Sequence, residues 1–236
     1  MRKPLQSLGL TLAAFVLVMI LWQIPALNGL LAPFRYFVTT VHELGHGLAA
    51  ILSGGSFRAY QVYASGAGVA TTASPSPWLV IPAGYVGTAL FGAALLYLNN
   101  RTGRSRWLSA VLGGGFALMT LLFARNLTSL LAGALTAAVL LLLAWKGAPI
   151  LNRFVLNVLA MLTGLHAVLD IRGLLGNLNA DILARQGRVP NDAYAMAQAV
   201  GILPPAGWAI LWMLIALALL GVSAYATFRG SLRSRE

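Results

Sequence analysis

His42, Glu43 and His46 stand together in "TVHELGHGLAAILSGG" (residues 40–55), with a spacing that suits one metal ion. On a helix, positions i and i+4 are about 40° apart and one turn along the axis, so both imidazoles reach an ion at roughly 2.0–2.1 Å. His42 and His46 are therefore candidate zinc ligands. Glu43 stands beside them as a candidate general base, taking the proton of a water whose pKa zinc lowers towards neutrality. A chain with five acidic residues places one of them inside an apolar run, where an idle carboxylate costs on the order of a few kcal/mol.

A catalytic zinc needs a third protein ligand and an open position for water. Cysteine is absent, so thiolates are excluded and the remaining choices are His166, Asp170, Asp181, Asp192 and the terminal Glu236. Asp170 lies deep in "VLNVLAMLTGLHAVLDIRGLL" and is the first choice, because an unpaired carboxylate there would be costly. His166 is one turn earlier on the same face and can be a ligand, a hydrogen-bond partner of Asp170 or an oxyanion donor. The alternative for Asp170 is an ion pair with Arg172 or with an arginine of another helix. Asp192 is either a substitute ligand or the N-cap of a short helix. Asp181 reads as a solvated loop charge, and Asn126, Asn152 and Asn157 as helix-end or interhelical hydrogen-bonding groups, with binding of substrate backbone as the alternative.

These residues must be positioned by membrane helices. The 236 residues are 59% hydrophobic and 9% charged with a mean hydropathy of +0.81, and long apolar runs recur from end to end. The expected fold is an all-α polytopic bundle of about six to seven transmembrane helices forming a single membrane-embedded domain over 1–236. Candidate spans are roughly 8–30, 34–53, 77–98, 107–124, 127–146, 151–175 and 205–228. The basic start of "MRKPLQSLGLTLAAFVLVMILW" has no small-x-small cleavage site after its apolar stretch and reads as the first span.

The net charge of +11 comes from residues such as Arg101, Arg104 and Arg106 that sit between apolar runs. They read as headgroup anchors and topology signals, which excludes a nucleic-acid partner and makes the lipid bilayer the expected one. Basic residues divide too evenly between the two sides to fix orientation. Residues 54–77, rich in Gly, Ser and Thr with alternation at Phe57, Ala59, Gln61 and Tyr63, suit a short β-hairpin beside the second helix. Gly66 and Gly68 serve turns or a close approach of substrate. "NDAYAMAQAVGI" (191–202) begins with a capping residue and reads as a short interfacial helix. Gly84, Gly87, Gly92 and Gly113 to Gly115 allow helices to pack closely or to move.

With HELGH in an early apolar helix, "SGGSF" after it, the β-prone stretch, "IPAGYVGTALFGAALL" and a late helix carrying Asp170, the sequence resembles the site-2 protease family of intramembrane zinc metallopeptidases. It resembles in particular the small bacterial branch without a PDZ domain. The resemblance covers roughly 34–176, and "NDAYAMAQAVGILPPAGWAILW" continues it. It implies zinc held by His42, His46 and Asp170, Glu43 as catalytic base, a membrane-anchored protein substrate and a place in a bacterial cell membrane. Two other readings stand beside it: a non-catalytic pseudoprotease that captures membrane helices, and an ion-coupled transporter using the same polar residues.

Overall fold

The computed structural model describes residues 2–22, 24, 29–74, 76–170, 174 and 191–233. Asp181, Glu236, Arg172 and the polar connection before residue 191 lie outside the described residues. The chain forms α1 (Arg2–Trp22), α2 (Ala32–Leu52), a hairpin of β1 (Ser56–Val62) and β2 (Gly68–Ala73), then α3 (Pro77–Thr102), α4 (Ser105–Phe123) and α5 (Leu127–Lys146). It continues through α6 (Pro149–Gly164), the single turn α7 (His166–Leu169), α8 (Asp192–Val200) and α9 (Pro205–Arg233). This is the expected helical membrane bundle with one small antiparallel sheet.

Composition decides which helices face outward. Pro77–Thr102, Ser105–Phe123, Leu127–Lys146 and Pro205–Arg229 are long and apolar enough to cross a membrane, while Gly9–Leu21 and Pro149–Gly164 are shorter apolar helices. Leu118, Leu121, Leu131 and Leu142 of α4 and α5 are exposed, as expected where lipid rather than water is the neighbour. The inner faces of α1 to α6 and α9 meet in one cluster that includes Phe37, Leu96, Phe116, Leu140, Leu156 and Leu220. A second cluster of Tyr85, Ala89, Ala193, Met196, Trp208 and Trp212 joins α3, α8 and α9 beside the site.

One departure from the expected spans and one helix cap matter. The segment foreseen as one helix over 151–175 ends at Gly164, and α7 restarts at His166 as one turn. Gly164 sits against Leu220 of α9 and the backbone of Gly92 of α3, so α6 terminates in a three-helix contact too tight for a side chain. The second is a choice the sequence left open, whether Asn191 or Asp192 caps α8. Asn191 caps it, accepting from the Tyr194 amide at 3.2 Å, which leaves the Asp192 carboxylate free for another use.

The hairpin is fastened along α2 by side chains. Thr39 donates to the Gly66 carbonyl at 2.8 Å and Tyr36 to the Ala64 carbonyl at 3.1 Å. The outer edge of β1 is taken up by the α4–α5 turn, where Arg125 N donates to Tyr60 O at 3.1 Å and Asn126 Nδ2 to Val62 O at 2.9 Å. β2 pairs with β1 alone among the described residues and turns its other edge towards the site.

Candidate metal centre

α2 supplies His42, Glu43 and His46 from its buried face. The spacing works as the sequence suggested: the two rings are 4.7 Å apart, and their Nε2 atoms approach to 3.1 Å. His46 is oriented by Nδ1, which donates to the Val80 carbonyl of α3 at 2.7 Å and so turns the Nε2 lone pair inward. α3 comes this close because Gly45 and Gly84 lie where the two helices cross. A Cβ on Gly45 would strike the Ala83 carbonyl, and one on Gly84 would strike His42 Nε2 and His46 Nε2.

Asp192, at the first turn of α8, is the third group placed to donate to a metal here. Its Oδ2 lies 2.9 Å from His42 Nε2 and 3.3 Å from His46 Nε2. Three donors bound tetrahedrally at 2.0–2.1 Å from one ion stand roughly 3.3 Å apart, close to the three separations found here. Electron-pair donors that converge in this way suit a cation between them, and two imidazoles with a carboxylate are a donor set suited to zinc. Among the described residues, His42, His46 and Asp192 form the group of three that can hold a metal. Burial opposes the charge of Asp192, but the facing His46 and His42 outweigh it and hold its pKa below the usual carboxylate range.

Asp170, foreseen as the third ligand, is placed elsewhere. Its Oδ2 accepts from the Tyr85 hydroxyl at 2.5 Å, so a phenol from α3 rather than a metal answers its burial. Tyr85 in turn lies flat against the His166 ring, with centroids 4.9 Å apart and planes at 17°, and meets the edge of His42 at 4.6 Å. His166 is thus held next to the metal donors, 5.3 Å from the His42 ring centre, without joining them.

Glu43 is 4% exposed and opens onto a cavity of about 980 Å³ shared with the three donors, Tyr85, His166 and Asp170. The β2 edge forms one wall through Gly68, Val69 and Ala70. Gly68 belongs there for a steric reason, since a Cβ on it would strike Glu43 Oε1 and come within 2.5 Å of Thr39 Cγ2. Tyr85 and Thr39 were not singled out for chemistry from the sequence, and Gly68 was read there as serving a turn or the approach of substrate. The signal available for Tyr85 was a phenol beside Gly84 within an apolar span.

No curated protein and no solved structure matches the chain. A family model described as Peptidase M50B-like matches residues 10–223, a span that contains every residue of this site. The members of that family are in general zinc-dependent. The chain therefore belongs to the Peptidase M50B-like family, which is the site-2 protease family of membrane metallopeptidases.

Proposed function

We propose that the protein is a zinc metalloprotease that hydrolyses peptide bonds of membrane-associated protein substrates. The observation that carries this reading is the convergence of His42, His46 and Asp192 on one point with Glu43 beside them in the same cavity. His42, His46 and Asp192 would hold the zinc, with Asp192 rather than Asp170 as third ligand. When bound, the metal supplies Lewis acidity that polarises the scissile carbonyl and makes water a stronger acid.

Glu43 takes a proton from the attacking water and passes it to the leaving nitrogen, so one carboxylate serves first as base and then as acid. Its burial against Gly68 restricts it to a position facing the cavity. His166 offers a ring N–H towards the carbonyl oxygen as negative charge develops there. The Tyr85–Asp170 hydrogen bond keeps that imidazole in place through the ring stack. The edge of β2 that faces the cavity suits an extended substrate, because a membrane helix must unwind before its amides can be attacked. Backbone pairing with β2 replaces the hydrogen bonds lost on unwinding.

The test uses purified protein in detergent micelles with a reporter polypeptide carrying one membrane helix. Glu43→Gln is expected to retain zinc at the wild-type level and lose cleavage by a factor of at least about 10² to 10⁴. Full cleavage by Glu43→Gln would refute the mechanism. Wild-type protein that takes up no zinc would refute the metal site.

A further inference from the structure

Among the described residues, the end of the bundle away from the metal gathers cations and no acidic side chain. Arg101 closes α3, Arg104 and Arg106 open α4, Lys146 closes α5 and Arg153 lies in the first turns of α6. Two turns carry most of them; one hydrogen bond joins the turns, and two others tie α6 to α5 and α3 to α6. Arg106 Nε donates to the Gly147 carbonyl at 2.9 Å, Asn152 Nδ2 to the Leu143 carbonyl at 2.8 Å, and Asn99 Nδ2 to the Arg153 carbonyl at 2.9 Å.

The three acidic residues described, Glu43, Asp170 and Asp192, all line the metal cavity. Along α3, Arg101 is 17 residues beyond Gly84, roughly 25 Å away at 1.5 Å per residue. That exceeds the Debye length of about 8–10 Å at physiological ionic strength, so the acids do not neutralise this end. Buried donors also stand idle here. Ser105 is 3% exposed and Ser109 0%, and neither hydroxyl has a hydrogen-bond partner; nor does the buried Nε of Arg153.

The surroundings say what kind of anion fits. Trp107 is 62% exposed and Trp145 72% exposed, with Lys146 Nζ 4.5 Å from the centre of the Trp145 ring. Exposed tryptophans next to exposed cations mark the headgroup level of a bilayer. Below them the exposed Val111, Leu118, Leu141 and Leu142 continue along α4 and α5 as an apolar surface. A soluble anion has no use for that surface, whereas acyl chains do.

We propose that the α3–α4 and α5–α6 turns bind the phosphate of one anionic phospholipid, with its acyl chains lying along α4 and α5. Arg106 and Arg153 supply the charge and the Ser105 hydroxyl a hydrogen bond, while Arg101, Arg104 and Lys146 strengthen the local potential. The site lies apart from the metal centre, and its occupancy does not depend on proteolytic activity.

Native mass spectrometry of the delipidated full-length protein tests this with three probes: phosphatidylglycerol, phosphatidylcholine and soluble glycerol 1-phosphate. One retained phosphatidylglycerol per chain is expected, with weaker phosphatidylcholine and no glycerol 1-phosphate. Arg106→Gln with Arg153→Gln should weaken phosphatidylglycerol about tenfold to thirtyfold. Arg58→Gln with Arg125→Gln, which removes the same charge at the hairpin end, should leave it unchanged. Should Arg153→Gln lower the yield of folded protein, Arg106→Gln with Lys146→Gln, both exposed residues, is read in its place with the same expectation. Equal retention of the two lipids, equal loss in both double variants, or binding of glycerol 1-phosphate would each overturn the proposal.

Discussion

Two groups of polar side chains interrupt this apolar bundle, and they are built differently. Around His42, His46, Asp192, Glu43 and the Asp170–Tyr85 pair, charged or ionisable groups converge on an open cavity. Farther along α3 and α6, neutral amides close on one another. Asn157 Oδ1 accepts from Asn99 and Asn100 at 2.9 and 2.8 Å, and Asn157 Nδ2 donates to Thr11 Oγ1 at 3.0 Å. Both groups are buried, so burial of a polar residue in a membrane helix does not by itself mark chemistry. Lone pairs of three groups facing a common point do, because that arrangement suits a metal ion.

The comparison is broken most directly at the carboxylates. Asp192→Ala is expected to lower bound zinc from about one per chain to near zero after gel filtration, as measured by metal analysis. Asp170→Ala should keep its zinc and lose turnover about tenfold to a hundredfold, through the released Tyr85 and His166. The reverse pattern would return Asp170 to the ligand set.

Gly84→Ala sharpens the same contrast, since alanine favours the helical backbone of α3 by about 1 kcal/mol yet sets a methyl against both histidine Nε2 atoms. Zinc affinity should fall about tenfold to a hundredfold without loss of thermal stability. A smaller effect is expected at the amide group. Asn157→Leu removes one hydrogen bond from each of Thr11, Asn99 and Asn100 and should cost about 1–2 kcal/mol, read as a lower unfolding temperature in detergent, with zinc content unchanged. The smallest is Gly114→Ala, where nothing lies within 4 Å of the added methyl. It should change neither zinc content nor, by more than about 0.5 kcal/mol, stability.

What could be read from the residues was local. The i, i+4 spacing of His42 and His46 depends on one helix, the hairpin on alternation and turn residues over about twenty positions, and the apolar spans on composition. Gly92 and Gly113 proved to be packing positions, against Gly164 with Ala160 and against Leu141. The sequence by itself thus determined the membrane class, the HExxH helix and its neighbouring hairpin.

Tertiary structure decided the third donor. His42 and Asp192 are 150 residues apart, and no periodicity reaches across that distance. Asp170 stood out because a buried carboxylate requires a partner. Nothing local to its segment shows that Tyr85 of α3 supplies a hydrogen bond, and nothing local to α8 selects Asn191 over Asp192 as its cap. The partner of a buried charge is chosen by which helices meet, and that choice lies in packing between segments remote in sequence.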